Sequence, residues 1–81
     1  MVDRFIIVKL VNGSKHKLCI SKEYHTVSLL KSQIEDLFYF KKGSQRLSYK
    51  GSPLLNEFNL LNLPNKSIIH LVLQLETIDE N

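Results

Sequence analysis

The chain has 81 residues, 43% of them hydrophobic and 23% charged, with a net charge of +3 at pH 7. That length fits one domain with a small core, and the apolar content argues against a disordered chain. A lone cysteine, Cys19, excludes an internal disulfide framework and points to a reducing intracellular compartment, cytoplasmic or nuclear.

No run of about 18 apolar residues is present, and Asp3 and Arg4 interrupt the start, so neither a membrane span nor a signal peptide is expected. In chain order, residues 4–11 are rich in β-branched and apolar types and predict a strand. Asn12-Gly13 follows, the pair favoured where a type I′ hairpin turn needs positive φ at both central positions. Residues 14–21 then return as a second strand, with His16, Leu18 and Ile20 on one face and Lys15, Lys17 and Cys19 on the other. Residues 22–25 form a polar link.

Val27, Leu30, Ile34, Leu37 and Phe38 recur at helical spacing, and Ser28, Ser32, Glu35 and Asp36 take the opposite side. Thr26 is the expected N-cap, because its hydroxyl can accept from an unpaired amide of the first turn. Lys41-Lys42-Gly43 is the expected stop, with cations near the negative helix end and a glycine free to take positive φ. Leu29 and Phe40 fall off the stripe. One helix with one apolar face needs a sheet to cover it.

Residues 45–49 predict a short strand with Leu47 and Tyr49 facing one way, and residues 50–53 a turn whose Pro53 confines the next segment to an edge or an irregular course. Residues 54–63 are Leu-rich without a clean period and read as a packed loop with a short helical turn. Residues 67–75 alternate strictly, with Ile69, Leu71, Leu73 and Leu75 on one face and Ile68, His70, Val72 and Gln74 on the other. The last six residues, 76–81, hold three acids and no base, so residues 1–75 carry +6. They are expected to be a flexible tail. The lysines of the basic body are scattered without an arginine cluster or an aromatic stacking platform, so nucleic acid is not the expected partner.

The string Gln45-Arg46-Leu47-Ser48-Tyr49-Lys50-Gly51-Ser52-Pro53-Leu54 resembles the third strand, turn and fourth strand of the ubiquitin family. Ser67-Ile68-Ile69-His70-Leu71-Val72-Leu73-Gln74-Leu75 resembles that family's last strand, and the Asn12-Gly13 hairpin and the helix opening at Thr26-Val27 fit the same template. The resemblance covers about residues 4–75. It implies an α+β, ubiquitin-like β-grasp fold in a single domain over 1–81, with a mixed four- to five-stranded sheet (β-β-α-β-β-β) packed on one α-helix. It further implies strand order 2-1-5-3 and an inner face of Ile6, Val8, Leu18, Ile20, Leu47, Tyr49, Leu54, Ile69 and Leu71.

No catalytic, cofactor or metal set is expected. Cys19 has lysine neighbours and no evident histidine partner, while His16, His25 and His70 fall on separate elements. The family divides into modifiers ending in Gly-Gly and uncleaved domains that dock protein partners. Thr77 and Ile78 stand where the modifiers carry glycines, Gln74 and Glu76 where they carry arginines, and Ser52 where they carry the chief linkage lysine. The resemblance therefore implies a non-enzymatic interaction domain, monomeric and not conjugated as written, that meets protein partners of the receptor, proteasome or intramolecular type. The alternative is a modifier whose C-terminus is matured or conjugated atypically. The family's docking patch maps to Val11, Ser48, His70 and Val72, bordered by Arg46 and Gly51, with Ser48 replacing a central isoleucine. Phe5, Ile7 and Ile68 alternate with inward residues and form a second apolar group on the outer sheet face. Large apolar side chains on a solvent face mark a contact, with a partner or with another copy or segment of this chain.

Overall fold

The computed structural model describes residues 4–20 and 24–74. Five strands, β1 (Phe5–Leu10), β2 (Lys15–Cys19), β3 (Gln45–Tyr49), β4 (Ser52–Pro53) and β5 (Ile68–Leu73), form one sheet in the order β2-β1-β5-β3-β4. One helix, α1 (Val27–Phe38), packs on it, and short 3-10 turns occupy Lys42–Ser44 and Leu60–Asn62. β1 and β5 run parallel at the centre, and every other pairing is antiparallel. The expected strand order and the mixed sheet on one helix are both found. Pro53 lies on the edge strand, where its missing N–H costs no ladder bond.

The core is a sandwich of the helix stripe and the inner sheet face. Ile6, Val8, Leu18, Ile20, Leu47, Ile69 and Leu71 are buried against Val27, Leu30 and Ile34, with Leu60 and Leu63 closing the side. Tyr49 and Leu54, also expected inward, pack partly buried against this cluster. Leu73 shares the inner alternation but lies at the end of β5, largely in solvent.

The first helical turn satisfies all of its exposed amides. Val27 N–H donates to Phe58 O at 2.9 Å, Ser28 N–H to Asn56 O at 2.9 Å, and Leu29 N–H to the Thr26 hydroxyl at 3.3 Å. Thr26 is thus the cap its sequence context predicts. The loop that follows β4 does the rest, pinned by Asn59, whose side-chain oxygen accepts from His25 N–H at 3.2 Å and Leu61 N–H at 3.1 Å.

The other end corrects the expectation. The helix stops at Phe38, and Tyr39 takes the left-handed conformation at φ 63° with its N–H on Glu35 O. Lys41-Lys42-Gly43 is not the stop; Lys42–Ser44 form a separate 3-10 turn. The cause is packing. Phe38 and Phe40 stack with ring centroids 5.7 Å apart, yet residues two apart in a helix point to different sides. The chain must leave the helix between them. Leu37, placed on the apolar stripe by its spacing, is 55% exposed, because the buried stripe runs through Val27, Leu30 and Ile34 to Phe38.

The β1–β2 turn differs too. Gly13 has φ 92°, but Asn12 is not among the positive-φ residues, so the turn is not type I′. Gly13 N–H closes on Leu10 O at 2.9 Å, and Leu10 N–H donates to Ser14 O at 2.9 Å, giving a wider connection with the glycine in the left-handed position. The pair with positive φ at both positions is Lys50-Gly51, joining Tyr49 to Ser52 in register. The acidic stretch 76–81, with the Thr77, Ile78 and Glu76 substitutions, lies outside the described residues, as do Leu75 and residues 21–23.

Candidate functional site

The strand alternation that buries Ile6 and Val8 turns Phe5, Ile7 and Lys9 to the opposite face of the sheet, away from α1. Register then fixes who stands beside whom. Ile7 lies across from Lys17 on one side and Ile68 on the other. Lys9 lies between Lys15 and His70, His70 also pairs with Ser48, and Val72 pairs with Arg46. The expected patch residues Ser48, His70, Val72 and Arg46 are thus direct cross-strand neighbours.

Val11 sits in the turn after β1, 82% exposed, and joins Val72 along a shallow depression of about 230 Å³ floored by Leu10, Phe40 and Leu71. Ser48 is half-buried, a short hydroxyl on β3 with His70 of β5 on one side and Pro53 of β4 on the other, and Val72 stands two residues beyond His70 on the same face of β5. Gly51 stands in the β3–β4 turn at φ 84°, a backbone position that a Cβ would strain. Arg46 is turned back on its own chain: its Nη1 donates to Gly43 O at 2.9 Å and Gln45 O at 3.1 Å.

The second apolar group is less open than alternation alone implies. Ile68 is 40% exposed, but Phe5 and Ile7 are half-buried. The Lys17 ammonium lies 4.3 Å from the Phe5 ring centroid and Lys66 lies 6.0 Å away, so cations flank this ring. Sequence reasoning missed these lysines as part of the surface. For Lys17 the alternation of β2, with Lys15 two residues before it and Lys9 across the hairpin, was the available signal; Lys66, just before β5, had none.

The three histidines have three separate settings. The His16 ring packs on Phe38 at 4.7 Å between centroids, buried His25 is hydrogen-bonded through Nε2 to the Gln33 side chain, and His70 is exposed on the outer face. Among the described residues, no three His, Cys, Asp or Glu side chains gather as metal ligands would. Cys19 is exposed on edge strand β2, across from Phe5. No helix among the described residues is long and apolar enough to cross a membrane. A further groove, of about 550 Å³, follows the β4 edge between Tyr49, Pro53, Leu54, Leu55 and Phe58, with Lys50 and Glu57 offsetting each other in charge along it.

What the outer face offers is apolar area, hydrogen-bonding capacity and positive charge on a rigid sheet. That combination suits binding. Comparison with protein families matches residues 6–76 to the model of the ubiquitin family. A search among curated proteins returned no match.

Proposed function

The chain belongs to the ubiquitin family, and on that premise we propose that it is a non-enzymatic ubiquitin-like domain whose work is protein–protein interaction. It docks partners of the ubiquitin–proteasome type through the outer face of its sheet, inside the cell, as a monomer, and it is not conjugated as written. One observation carries this reading: Ile68 and Val72 on the sheet face turned away from the helix, and Val11 in the turn after β1, expose large apolar side chains. Ser48 in the middle of that face lowers affinity for receptors that grip an isoleucine there, so the natural partner reads the surrounding residues.

Two experiments test it. Capture from cell lysate is run with the parent protein and with Val72→Glu, whose new carboxylate faces Arg46 and leaves the fold intact. A charge at this position would be buried at the centre of a docked complex, so specific partners should be lost. An unchanged set of partners from folded Val72→Glu would contradict the docking face. Incubation with a ubiquitin-family activating enzyme and ATP should yield no thioester. An adduct would favour the alternative, a modifier matured or conjugated in an atypical way.

A further inference from the structure

We propose that the depression on the outer sheet face between Lys9, Lys50, Lys66 and His70 seats the carboxylates of an acidic segment of the protein partner. This inference rests on the docking reading and names the chemistry that the partner presents. The depression measures about 420 Å³, and Tyr49 and Ile68 supply its apolar lining.

Charge distribution is the first support. Among the described residues the acids are Glu35 and Asp36 on the helix and Glu57 in the loop after β4. Among the described residues the outer sheet face and its margins hold Lys9, Lys15, Lys17, Arg46, Lys50 and Lys66, and the acid that comes near them is Glu57, along the β4 groove beside Lys50. Among the described residues the sheet side is therefore basic, and a face of one sign selects a partner of the other.

The second support is that the three lysines around the depression occupy positions that local physics disfavours. Lys9 faces Lys15 directly across the hairpin, and like charges so placed destabilise a strand pair. Lys50 and Lys66 hold φ of 52° and 69°, the left-handed region that glycine and asparagine enter most easily. Lys50 fills the first place of a tight two-residue turn where asparagine is the favoured residue. Unfavourable local choices that converge on one concavity are the signature of a site kept for binding. An acidic segment neutralises all three at once, and an apolar side chain beside its carboxylates meets Ile68 and Tyr49.

The test is an amide-resolved NMR titration of the intact protein with a capped octapeptide of six glutamates and two leucines. The same peptide with glutamine for glutamate is the control. Binding should move the amides of Lys9, Lys50, Lys66 and His70, weaken steeply as salt is raised, and be absent with the control. Lys50→Asn and Lys66→Asn keep a residue suited to the left-handed backbone, so both fold, and each should weaken peptide binding by about fivefold. Binding of the glutamine peptide equal to that of the acidic one overturns the proposal, as does an unaltered affinity in both variants. A single-stranded oligonucleotide that displaces the peptide from these residues at lower concentration also overturns it, in favour of nucleic acid. Shifts confined to Val11 and Val72 would overturn the acidic seat while leaving the docking face in place. Loss of the docking face itself is read separately, from the Val72→Glu capture.

Discussion

Lys31 is the residue whose placement runs most against its chemistry. It sits on the helix at 9% exposure, with its Nζ donating to Asn56 Oδ1 at 2.7 Å. Burial pushes its ammonium below the ordinary lysine range, and the nearby positive charges of Arg46 and Lys42 push the same way. The folded state thus holds this proton less tightly than the unfolded chain does. In the alkaline window between the lowered folded value and the ordinary unfolded one, the unfolded state binds more protons, so stability from this group rises with pH. The penalty is present in full below the lowered folded value. Lys31→Met should keep stability within about 1 kcal/mol of the parent or raise it, and should remove that alkaline rise. Urea midpoints of both proteins measured from neutral pH to about pH 10.5 check this. A parallel pair of curves would contradict it.

Gln45 shows a buried polar group with the opposite effect. It is fully buried, and its Nε2 donates to Lys31 O at 2.9 Å and Phe40 O at 3.1 Å, tying the helix to the segment that leaves it. Its Oε1 has no partner among the described residues, so the amide already carries an unmet acceptor. Gln45→Leu removes that defect but strips a donor from the Phe40 carbonyl. The loss of the tie should prevail, destabilising by about 1–3 kcal/mol in a denaturant melt.

At the scale of the elements, Ile34 is the test of the helix–sheet interface. It is fully buried at mid-helix, between Leu30 and Phe38 on the stripe that faces the sheet. Ile34→Ala should cost about 2–5 kcal/mol, enough to unfold much of a domain this small. A midpoint equal to the parent's would mean that this helix does not face the core.

The start of that helix was legible in the sequence, because an N-cap is a local event: Thr26 and its donor Leu29 are three residues apart. Its end was not, because the reason lies in two aromatic rings that must both reach the core. The hairpins divide in the same way. Asn12-Gly13 marks a turn correctly but not its type, and Lys50-Gly51 adopts the doubly positive backbone without the asparagine that would announce it. Turn propensity is a preference, and the strand register on either side overrides it.

For the whole molecule, the sheet order followed from the resemblance, and the inner face came out nearly as that template implied. The outer face was only half legible. Alternation correctly separates Ile7 and Ile68 from Ile6 and Ile69, but it cannot say that lysines from β2 and from the approach to β5 close over Phe5. Nor does it bring Lys50 beside Lys9 and Lys66, residues distant in sequence that meet only because β5 lies between β1 and β3. Among the described residues, the helix covers one side of the sheet and a basic, partly apolar face lies on the other.

The central claim is that this face docks protein partners around Ser48, and one titration tests it most directly. The parent protein, Ser48→Ile and Ser48→Ile/Val72→Glu are each titrated against a ubiquitin-receptor domain, with folding checked first from amide spectra. Position 48 is half-buried beside His70 and Pro53 on the neighbouring strands, so an isoleucine there restores about 1.5–3 kcal/mol of burial on docking. Ser48→Ile should therefore bind at least about tenfold more tightly than the parent, and adding Val72→Glu should abolish the gain. A folded Ser48→Ile that binds no more tightly than the parent would contradict the account.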